Sequence, residues 1–379
     1  MMLTFRRGLV AAAIIISFLL FLRLKHTSDR PQPLAQHNSP KPTGSYLDNK
    51  KLQETPPGGS TSIDVASSIP STSARGSGGC VSANTKLLTK IPLKDLKGLP
   101  LRRQLSYAFP YDLEAKFPAF IWQTWKYTPS ASDFDEPLRL AEASWTELHP
   151  SFVHEVITDD IAGHLIKHFF ASVPEVVKAY FALPQPVLKA DFFRYLILLA
   201  RVGIYSDIDT TALKSAIEWV PTGFPQSTYG LVIGIAADPD RPDWQDWYSR
   251  RIQFCQWTIQ SKPGHPVLVD IVAAITEETL KRVTAGELDN KNRKSAVEFT
   301  GPVIWTDIIF RYFNNAEYFD MSTSEGNITW QQFTGIKEAR KVGDVVILPI
   351  TSFSPGVGSM GAGREYDAMA FVKHTFEAT

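Results

Sequence analysis

The chain has 379 residues, of which 39 are basic and 39 are acidic, so its formal charge is zero and no overall field recruits nucleic acid or an anionic membrane. This length allows one large domain or two ordinary domains. All nine tryptophans lie at or after Trp122, which predicts that the folded core occupies the later part of the chain.

The N-terminal residues predict a membrane anchor. Arg6 and Arg7 precede a nearly continuous apolar run, and basic residues follow it directly. The run is short, which favours a cleaved signal peptide, but no small-x-small cleavage site precedes Arg23. We therefore expect a signal-anchor transmembrane helix over residues 8–24, with residues 1–7 as a cytosolic tail. Charge does not fix the orientation, because two basic residues lie on each side.

Residues 25–105 are predicted to form a disordered stem. The stretch from His26 to Cys80 is rich in Pro, Ser, Thr and Gly, and Tyr46 is its only aromatic residue. Such a composition cannot bury enough apolar surface to offset the entropy lost on ordering. A single folded domain is therefore expected over residues 106–379.

Strands and helices alternate through that domain, which predicts an α/β fold whose sheet is covered on both faces. The expected elements are strands near Phe120 and at His154–Thr158, a helix at Glu136–Leu148 between them, helices up to Val202, strands at Ile204–Tyr205 and Tyr229–Ile235, helices to about Arg282 and at Val303–Phe313, and strands at Val345–Leu348 and Ala370–Val372. Cys255, assigned to an aromatic helix, is expected as a buried thiol.

The segment from Lys189 to Thr211 is the most informative part of the sequence. Apolar residues recur at helical spacing from Val187 to Val202. Asp191 and Arg194 are three positions apart, so they share one face of this predicted helix. Gly203 is expected to end the helix in the manner of a C-cap.

A pair of carboxylates follows this helix. Ile204-Tyr205 predicts a short buried strand with Asp207 and Asp209 at its C-terminal end, the edge at which open α/β sheets bind ligands. Two carboxylates that flank one residue suit Mg²⁺ or Mn²⁺, which prefer oxygen ligands and often share them with phosphate. The same residues, with Thr211, also fit the Asp-x-Asp-x-Thr nucleophile strand of haloacid-dehalogenase-like phosphatases.

Other candidate ligands have simpler interpretations. Large aromatic residues mostly fill cores, and paired arginines mostly lie on solvated surfaces. A histidine pair without a third ligand nearby is more typical of surface or hydrogen-bonded histidines than of a metal site. These interpretations are preferred for Trp125, Trp257, Trp305, Arg250-Arg251, and the pair His164 and His168.

Five ordered blocks of the sequence resemble glycosyltransferase family 32, and more closely its fungal initiation-specific α-1,6-mannosyltransferases. The blocks are FIWQTWK at Phe120–Lys126, ADFFRYLILLARVGIYSDIDT at Ala190–Thr210, and the stretches Ala237–Leu268, Thr300–Phe310 and Val342–Ala362. The resemblance runs from about Phe117 to His374, which is nearly all of the predicted domain.

The resemblance implies a GT-A type fold (a Rossmann-like mixed sheet), GDP-mannose as donor, and a divalent cation, Mn²⁺ or Mg²⁺. It implies that Asp207 and Asp209 serve the metal and the diphosphate, with His374 as a further candidate metal ligand. It also assigns Asp191 and Arg194, as catalytic residues, to the donor sugar and its phosphate. The further donor-binding residues implied are Trp122, Gln123, Thr124 and Tyr205.

The resemblance also implies transfer of mannose in α-1,6 linkage to a high-mannose N-glycan, with retention of configuration by a front-face route. Inositol phosphorylceramide is an alternative acceptor. A second alternative is a non-catalytic subunit of a Golgi mannosyltransferase complex, since family members continue beyond the position of Thr379. The implied location is the Golgi membrane, as a single-pass type II protein with a lumenal domain. The sequon at Asn327 would be glycosylated there.

Overall fold

The computed structural model describes residues 96–288, 296–319, 321–323 and 326–375. The predicted cytosolic tail and anchor, most of the predicted stem, and Cys80 lie outside these residues. Within the described ranges, no helix combines the length and apolar character needed to cross a bilayer.

The elements of the described residues alternate between strands and helices, as the sequence predicts. The strands are β1 (Phe120–Thr124), β2 (Val153–Ile157), β3 (Gly203–Ser206), β4 (Thr210–Ala212), β5 (Leu231–Ala237), β6 (Gln253–Ser261), β7 (Arg340–Val342), β8 (Val345–Leu348) and β9 (Val372–His374). The helices are α1 (Leu101–Ala108), α2 (Glu136–Leu148), α3 (Asp159–Phe169), α4 (Pro174–Ala182), α5 (Pro186–Ala200), α6 (Pro266–Ala285), α7 (Ala296–Phe299), α8 (Pro302–Phe313) and α9 (Ile350–Phe353).

Seven strands form one mixed sheet in the order β2-β1-β3-β6-β5-β8-β7. Strands β2, β1 and β3 are parallel, β6 runs antiparallel to both β3 and β5, and β8 is parallel to β5. Strands β4 and β9 pair separately as a small antiparallel sheet. The α/β class is therefore confirmed. The carboxyl end of β3 leads directly into the small sheet.

Apolar side chains cover both faces of the large sheet, as expected. One face packs against α3 to α6 and α8, and its core includes Phe192, Ile233 and Ile271. The opposite face is smaller and includes Ile204 and Val232. Burial on both faces removes the two-residue alternation of polar and apolar positions that marks a half-exposed strand.

This loss of alternation explains an error in the sequence prediction. The segment around Cys255 was assigned to a helix, whereas it forms β6, a central strand with almost every residue buried. A continuous apolar stretch does not distinguish a central strand from a buried helix by periodicity. The thiol of Cys255 is buried as expected, and burial raises its pKa.

Helix α5 ends differently from the prediction. Its last residue is Ala200, and Val202 rather than Gly203 takes the left-handed position after the helix, with φ of 68°. Gly203 also has a positive φ, 100°, but it begins β3. A side chain at Gly203 would collide with the backbone carbonyl of Phe120. This glycine therefore permits the close approach of β3 to β1.

The folded unit begins earlier than residue 106. Helix α1 buries Gln104 and Leu105, and Leu96 is also buried. Residues 96–105 therefore belong to the folded unit, although the sequence placed them in the stem. Their apolar residues are spaced along a short polar segment, so composition averaged over the whole stem conceals them.

Candidate active site

Asp207 and Asp209 lie on the turn between β3 and β4. The N–H of Asp207 donates to the carbonyl of Trp257 at 2.8 Å, which continues the pairing of β3 with β6 by one residue. The N–H of Thr210 then donates back to the carbonyl of Asp207 at 3.1 Å. The turn places both carboxylates just beyond the carboxyl edge of the large sheet, where the sequence predicts them.

His374 lies beside this turn in space, although it comes from the C-terminal part of the chain. It is the last residue of β9 and pairs with Thr210 of β4. Its Nε2 lies 3.1 Å from Oδ1 of Asp209. One potential ligand atom from each of Asp207, Asp209 and His374 lies within 4.8 Å of the others. Among the described residues, no other group of three His, Cys, Asp or Glu side chains is this compact.

Neighbouring contacts hold the turn that carries Asp207 and Asp209 against the end of β9 that carries His374. The N–H and the hydroxyl of Thr375 both donate to the carbonyl of Asp209, each at 3.0 Å. The ring of Trp257 packs against the imidazole of His374, with centroids 4.9 Å apart. The β9 strand was predicted two residues too early, at Ala370–Val372, and the shift matters because it brings His374 into register with Thr210.

Arg194 connects the helix to the carboxylate turn. Its Nη2 lies 3.0 Å from Oδ1 of Asp191, one turn earlier on α5, and 3.2 Å from Oδ1 of Asp207. The side chains of Asp191 and Arg194 are each 6% exposed, whereas that of Asp207 is 23% exposed. The structure therefore brings the two predicted pairs into one cluster, with Asp207 on its open side.

Asp191 is held by residues that the sequence did not single out. The hydroxyl of Thr300 donates to Oδ2 at 2.9 Å, and the amide of Gln256 donates to Oδ1 at 3.0 Å. The hydroxyl of Tyr195 donates to the side chain of Gln256 at 2.6 Å and so orients it. Both Gln256 and Thr300 occur in blocks that carry the family resemblance, but nothing in their local pattern indicates a contact with α5.

The cluster holds more carboxylates than guanidiniums, since Asp191 and Asp207 both pair with Arg194 and Asp209 lies in the same turn as Asp207. Burial opposes the charge of Arg194, but the carboxylates of Asp207 and Asp191 more than offset this, so the pKa of Arg194 is raised. Loss of hydration raises the pKa of Asp191 and of Asp207, against the attraction of Arg194. A further cation beside Asp207 would offset the same loss of hydration.

Three of the predicted donor-binding residues support the turn. The amide of Gln123 donates to the carbonyl of Asp207 at 3.0 Å. The hydroxyl of Tyr205 donates to Oδ1 of Asp207 at 2.9 Å and lies 3.2 Å from the hydroxyl of Thr124. These contacts fix both the backbone and the carboxylate of Asp207. Their predicted contact with a donor stays a prediction.

Trp122 lies away from this cluster. Its indole N–H donates to the carbonyl of Val202 at 2.8 Å, its ring stacks on Phe120, and only 6% of its surface is exposed. The ring therefore packs in the core and fixes the end of α5. Its predicted donor contact rests on the resemblance alone.

His154 adds a second layer behind the strand residues. Its Nε2 lies 2.9 Å from Oε1 of Gln123, and its Nδ1 lies 2.8 Å from the hydroxyl of Thr146. Burial lowers the pKa of His154 to about 4, so the ring is neutral at physiological pH. A neutral ring that is hydrogen-bonded through both nitrogens fixes the amide of Gln123, which in turn holds Asp207.

The predicted sequon lies on the surface. Asn327 is exposed, and the hydroxyl of Thr329 takes part in a capping box at the start of the short 3₁₀ helix Trp330–Gln332. The paired histidines His164 and His168 lie on α3, and Nδ1 of His164 lies 2.9 Å from the carbonyl of Asp160 in its own helix. Neither belongs to the compact acidic group.

Known proteins are similar to this chain in sequence. Residues 136–224 match the family described as glycosyltransferase sugar-binding region containing DXD motif, a range that includes both Asp191 with Arg194 and Asp207 with Asp209. The chain is 47% identical to the initiation-specific alpha-1,6-mannosyltransferase of Candida albicans, over 74% of this chain and 76% of that protein. It is 35% identical to the protein of that name from Saccharomyces cerevisiae, over 74% and 81%. A shorter match, 32% identical over 32% of this chain and 34% of the relative, is to inositol phosphoceramide mannosyltransferase 3 of Schizosaccharomyces pombe.

Proposed function

Because this chain belongs to the glycosyltransferase family of the fungal initiation-specific α-1,6-mannosyltransferases, we propose that it transfers mannose from GDP-mannose to the 6-hydroxyl of a high-mannose N-glycan. Its relatives support mannosyltransferase activity. The structural observation that supports use of a metal and a nucleotide-sugar donor is the convergence of Asp207, Asp209 and His374 to within 4.8 Å, beside an arginine at the open edge of the sheet.

The group fits a divalent cation. Two carboxylates and one imidazole are ligands that Mn²⁺ accepts, and Mg²⁺ is the alternative when oxygen ligands dominate. Asp207, Asp209 and His374 would hold the ion, and the excess of carboxylates in the cluster favours it. When bound, such an ion neutralises the negative charge of a departing diphosphate.

The protein's own residues have separate roles in this proposal. Asp207 and Asp209 would face the diphosphate of the donor. The guanidinium of Arg194 lies beside Asp207, and its planar group can bind a phosphate or sugar hydroxyls with fixed geometry. Gln123 and Tyr205 orient Asp207 from behind. Asp191 orients Arg194 and has both carboxylate oxygens occupied by hydrogen bonds.

The proposed reaction retains configuration by a front-face displacement. The bond from the anomeric carbon to the diphosphate breaks, a bond to the acceptor oxygen forms on the same face, and the diphosphate takes the proton of the acceptor hydroxyl. A double displacement needs a free carboxylate below the sugar. Asp191 is a poor candidate because it is 4% exposed and fully hydrogen-bonded.

The acceptor assignment follows the extent of similarity. Relatives named as α-1,6-mannosyltransferases match over about three quarters of this chain, whereas the relative named for inositol phosphoceramide matches over 32% of it. The phosphatase alternative loses its support, because the matched family containing the Asp-x-Asp segment is a glycosyltransferase family.

A GT-A type fold accords with the mixed sheet and the acidic turn at its edge.

We place the protein in the Golgi membrane as a single-pass type II protein with its folded domain in the lumen. The apolar segment at residues 8–24 supports an anchor, and the exposed sequon at Asn327 supports a lumenal domain. Glycoprotein acceptors would be reached in that compartment. A role within a mannosyltransferase complex accords with this location.

Release of GDP tests the proposal. The protein is incubated with GDP-mannose and Mn²⁺, with a high-mannose glycan or inositol phosphorylceramide as acceptor, and with or without EDTA. We expect release that needs the glycan and is abolished by EDTA. Release with the lipid alone would move the acceptor assignment to the lipid, and no release with either acceptor would favour the non-catalytic subunit.

A further inference from the structure

A second concave site lies apart from the acidic turn. It has a volume of about 330 Å³, near the lower end of the range of ligand pockets. It is bounded by the loop before β6, the last turns of α8, and the segment that contains the sequon. The residues that matter for its chemistry are Arg250, Arg251, Phe310 and Trp330, and the sequon residue Asn327 also lines it.

Two elements connect this cavity to the acidic cluster. Gln256 of β6 contacts Asp191 and Arg194, and Ile252, the residue just before β6, lines the cavity. The two residues are four positions apart in extended chain, or roughly 13 Å. Because β6 is antiparallel to β3, its early residues project beyond the carboxyl end of β3, the edge that carries Asp207. The cavity therefore lies on the active edge of the sheet.

Helix α8 gives the same placement independently. Thr300, just before the helix, donates to Asp191. Phe310, in the last turns of the helix, lines the cavity. The helix rises about 6 Å from Pro302 to Thr306, which also lines the cavity, and about 12 Å to Phe310. The cavity is thus separated from the acidic cluster by the length of a few sugar residues.

The wall of the cavity is mainly apolar, and the two arginines that line it are paired with carboxylates. Arg250 makes a two-pronged pair with Asp307, at 2.7 and 2.6 Å, and Arg251 pairs with Asp238 at 2.6 Å. Two guanidiniums are therefore balanced by two carboxylates. This pairing leaves no unbalanced positive charge, which an anion site would present.

An aromatic ring completes the surface. Trp330 is 37% exposed, and the guanidinium of Arg251 lies 4.5 Å from its ring centroid, which fixes the orientation of the indole. The carboxamide of Asn314 is held by the backbone of Phe310 and Ile328, and so fixes this part of the wall. An exposed indole in a mainly apolar wall, beside guanidinium donors, suits a sugar, which has apolar C–H faces and a rim of hydroxyls.

We propose that this cavity binds a mannose residue of the acceptor glycan that is remote from the hydroxyl receiving the new sugar. The assignment to the acceptor rests on the proposed mannosyltransferase function. The binding of a neutral oligosaccharide rests on the cavity itself. The site would favour an extended glycan over a single sugar, because a single sugar at the acidic cluster cannot reach it.

The test compares Trp330→Ala and Arg250→Gln with a matched control, Trp247→Ala. Trp247 is 64% exposed and also lies beside an arginine, Arg241, at 4.8 Å, but it does not line the cavity. Binding of a released high-mannose oligosaccharide is measured by calorimetry without donor, on full-length protein in which Asn327→Gln prevents attachment of an N-glycan at the cavity. KM is measured for that glycan and for methyl α-mannoside, and melting temperature reports folding.

We expect Trp330→Ala and Arg250→Gln to weaken oligosaccharide binding by on the order of tenfold. The KM for the glycan, divided by the KM for methyl α-mannoside, should rise by a similar factor. Trp247→Ala should change neither. Equal binding by all folded variants would overturn the site. If oligosaccharide binding depends on Trp330 but no GDP is released by the parent protein, the cavity stands and the proposed transferase function fails.

Discussion

Asp209 and His374 are 165 positions apart in the chain, yet Nε2 of the histidine lies 3.1 Å from Oδ1 of the aspartate. The pairing of β4 with β9 makes this contact, since Thr210 and His374 are partners in register. The small two-stranded sheet thus closes one side of the acidic turn. Because this small sheet brings His374 to the turn that carries Asp207 and Asp209, we expect the three residues to share one cation.

Replacing Asp209 with Asn should nearly abolish activity while leaving the fold intact. The change keeps the shape of the side chain and removes its charge, so the hydrogen bond with His374 can persist. We expect turnover to fall on the order of 100-fold or more, the usual cost of a lost electrostatic contact at a reacting centre. GDP release and melting temperature measure the two effects.

The matched control for this change is Asp160→Asn, at an exposed position in the first turn of α3. It should retain full turnover. Near-normal turnover in Asp209→Asn would rule out a metal role for this carboxylate.

His374→Ala should weaken metal dependence rather than donor recognition. The Mn²⁺ concentration that gives half-maximal GDP release is expected to rise on the order of tenfold or more, as for loss of a group at or beside a metal. His164→Ala, on the surface of α3, provides the control. An unchanged Mn²⁺ requirement in His374→Ala would mean that the imidazole only packs against Trp257.

Arg194 should act in both folding and donor binding. Arg194→Ala leaves the carboxylates of Asp191 and Asp207 without their cation, which for a buried pair costs about 3–5 kcal/mol. Arg194→Lys keeps the charge but loses the planar fork, so we expect a smaller loss of stability and a raised KM for GDP-mannose. Unchanged KM and kcat in a folded Arg194→Lys protein would make Arg194 a purely structural residue.

The buried, neutral state of His154 should make the protein less stable at acid pH. Its pKa falls from 6.5 to about 4 on folding, so between these values the unfolded chain binds a proton that the native protein does not. Stability is therefore lost as pH falls from 6.5 towards 4, by about 3 kcal/mol in total. His149, whose pKa is also lowered by burial, acts in the same direction, and Glu142, which faces His154 from α2, acts in the opposite one.

The measurement is urea unfolding of the native protein and of His154→Asn across this pH range. The difference between their free energies of unfolding isolates the histidine from the other titrating groups. That difference should shrink as pH falls from 6.5 to 4. A difference that does not change with pH would contradict a buried, neutral His154.

Local pattern was sufficient to predict the centre of the site. Helical spacing placed Asp191 and Arg194 on one face of α5, and a short apolar strand placed Asp207 and Asp209 at the edge of the sheet. These features depend on residues within one segment. The structure brings the two pairs together through Arg194, as that segment suggests.

The supporting contacts could not be predicted in the same way. Gln256 and Thr300 reach Asp191 from segments that are distant in the chain, and nothing in their own neighbourhoods indicates this. Trp122 shows the converse difficulty, since a tryptophan in a strand beside a ligand edge has the same local pattern whether it faces the ligand or the core. Burial decides between these alternatives, and burial depends on the whole fold.

The most direct test of the central claim is the structure of the product. Purified protein, GDP-mannose, Mn²⁺ and a high-mannose glycan are incubated together, and the linkage of the added sugar is determined by NMR. We predict one new mannose in α-1,6 linkage, formed in step with GDP release. A β-linked product would contradict the retaining mechanism, and an unmodified glycan under conditions in which the protein is folded and metal-loaded would contradict the proposed function.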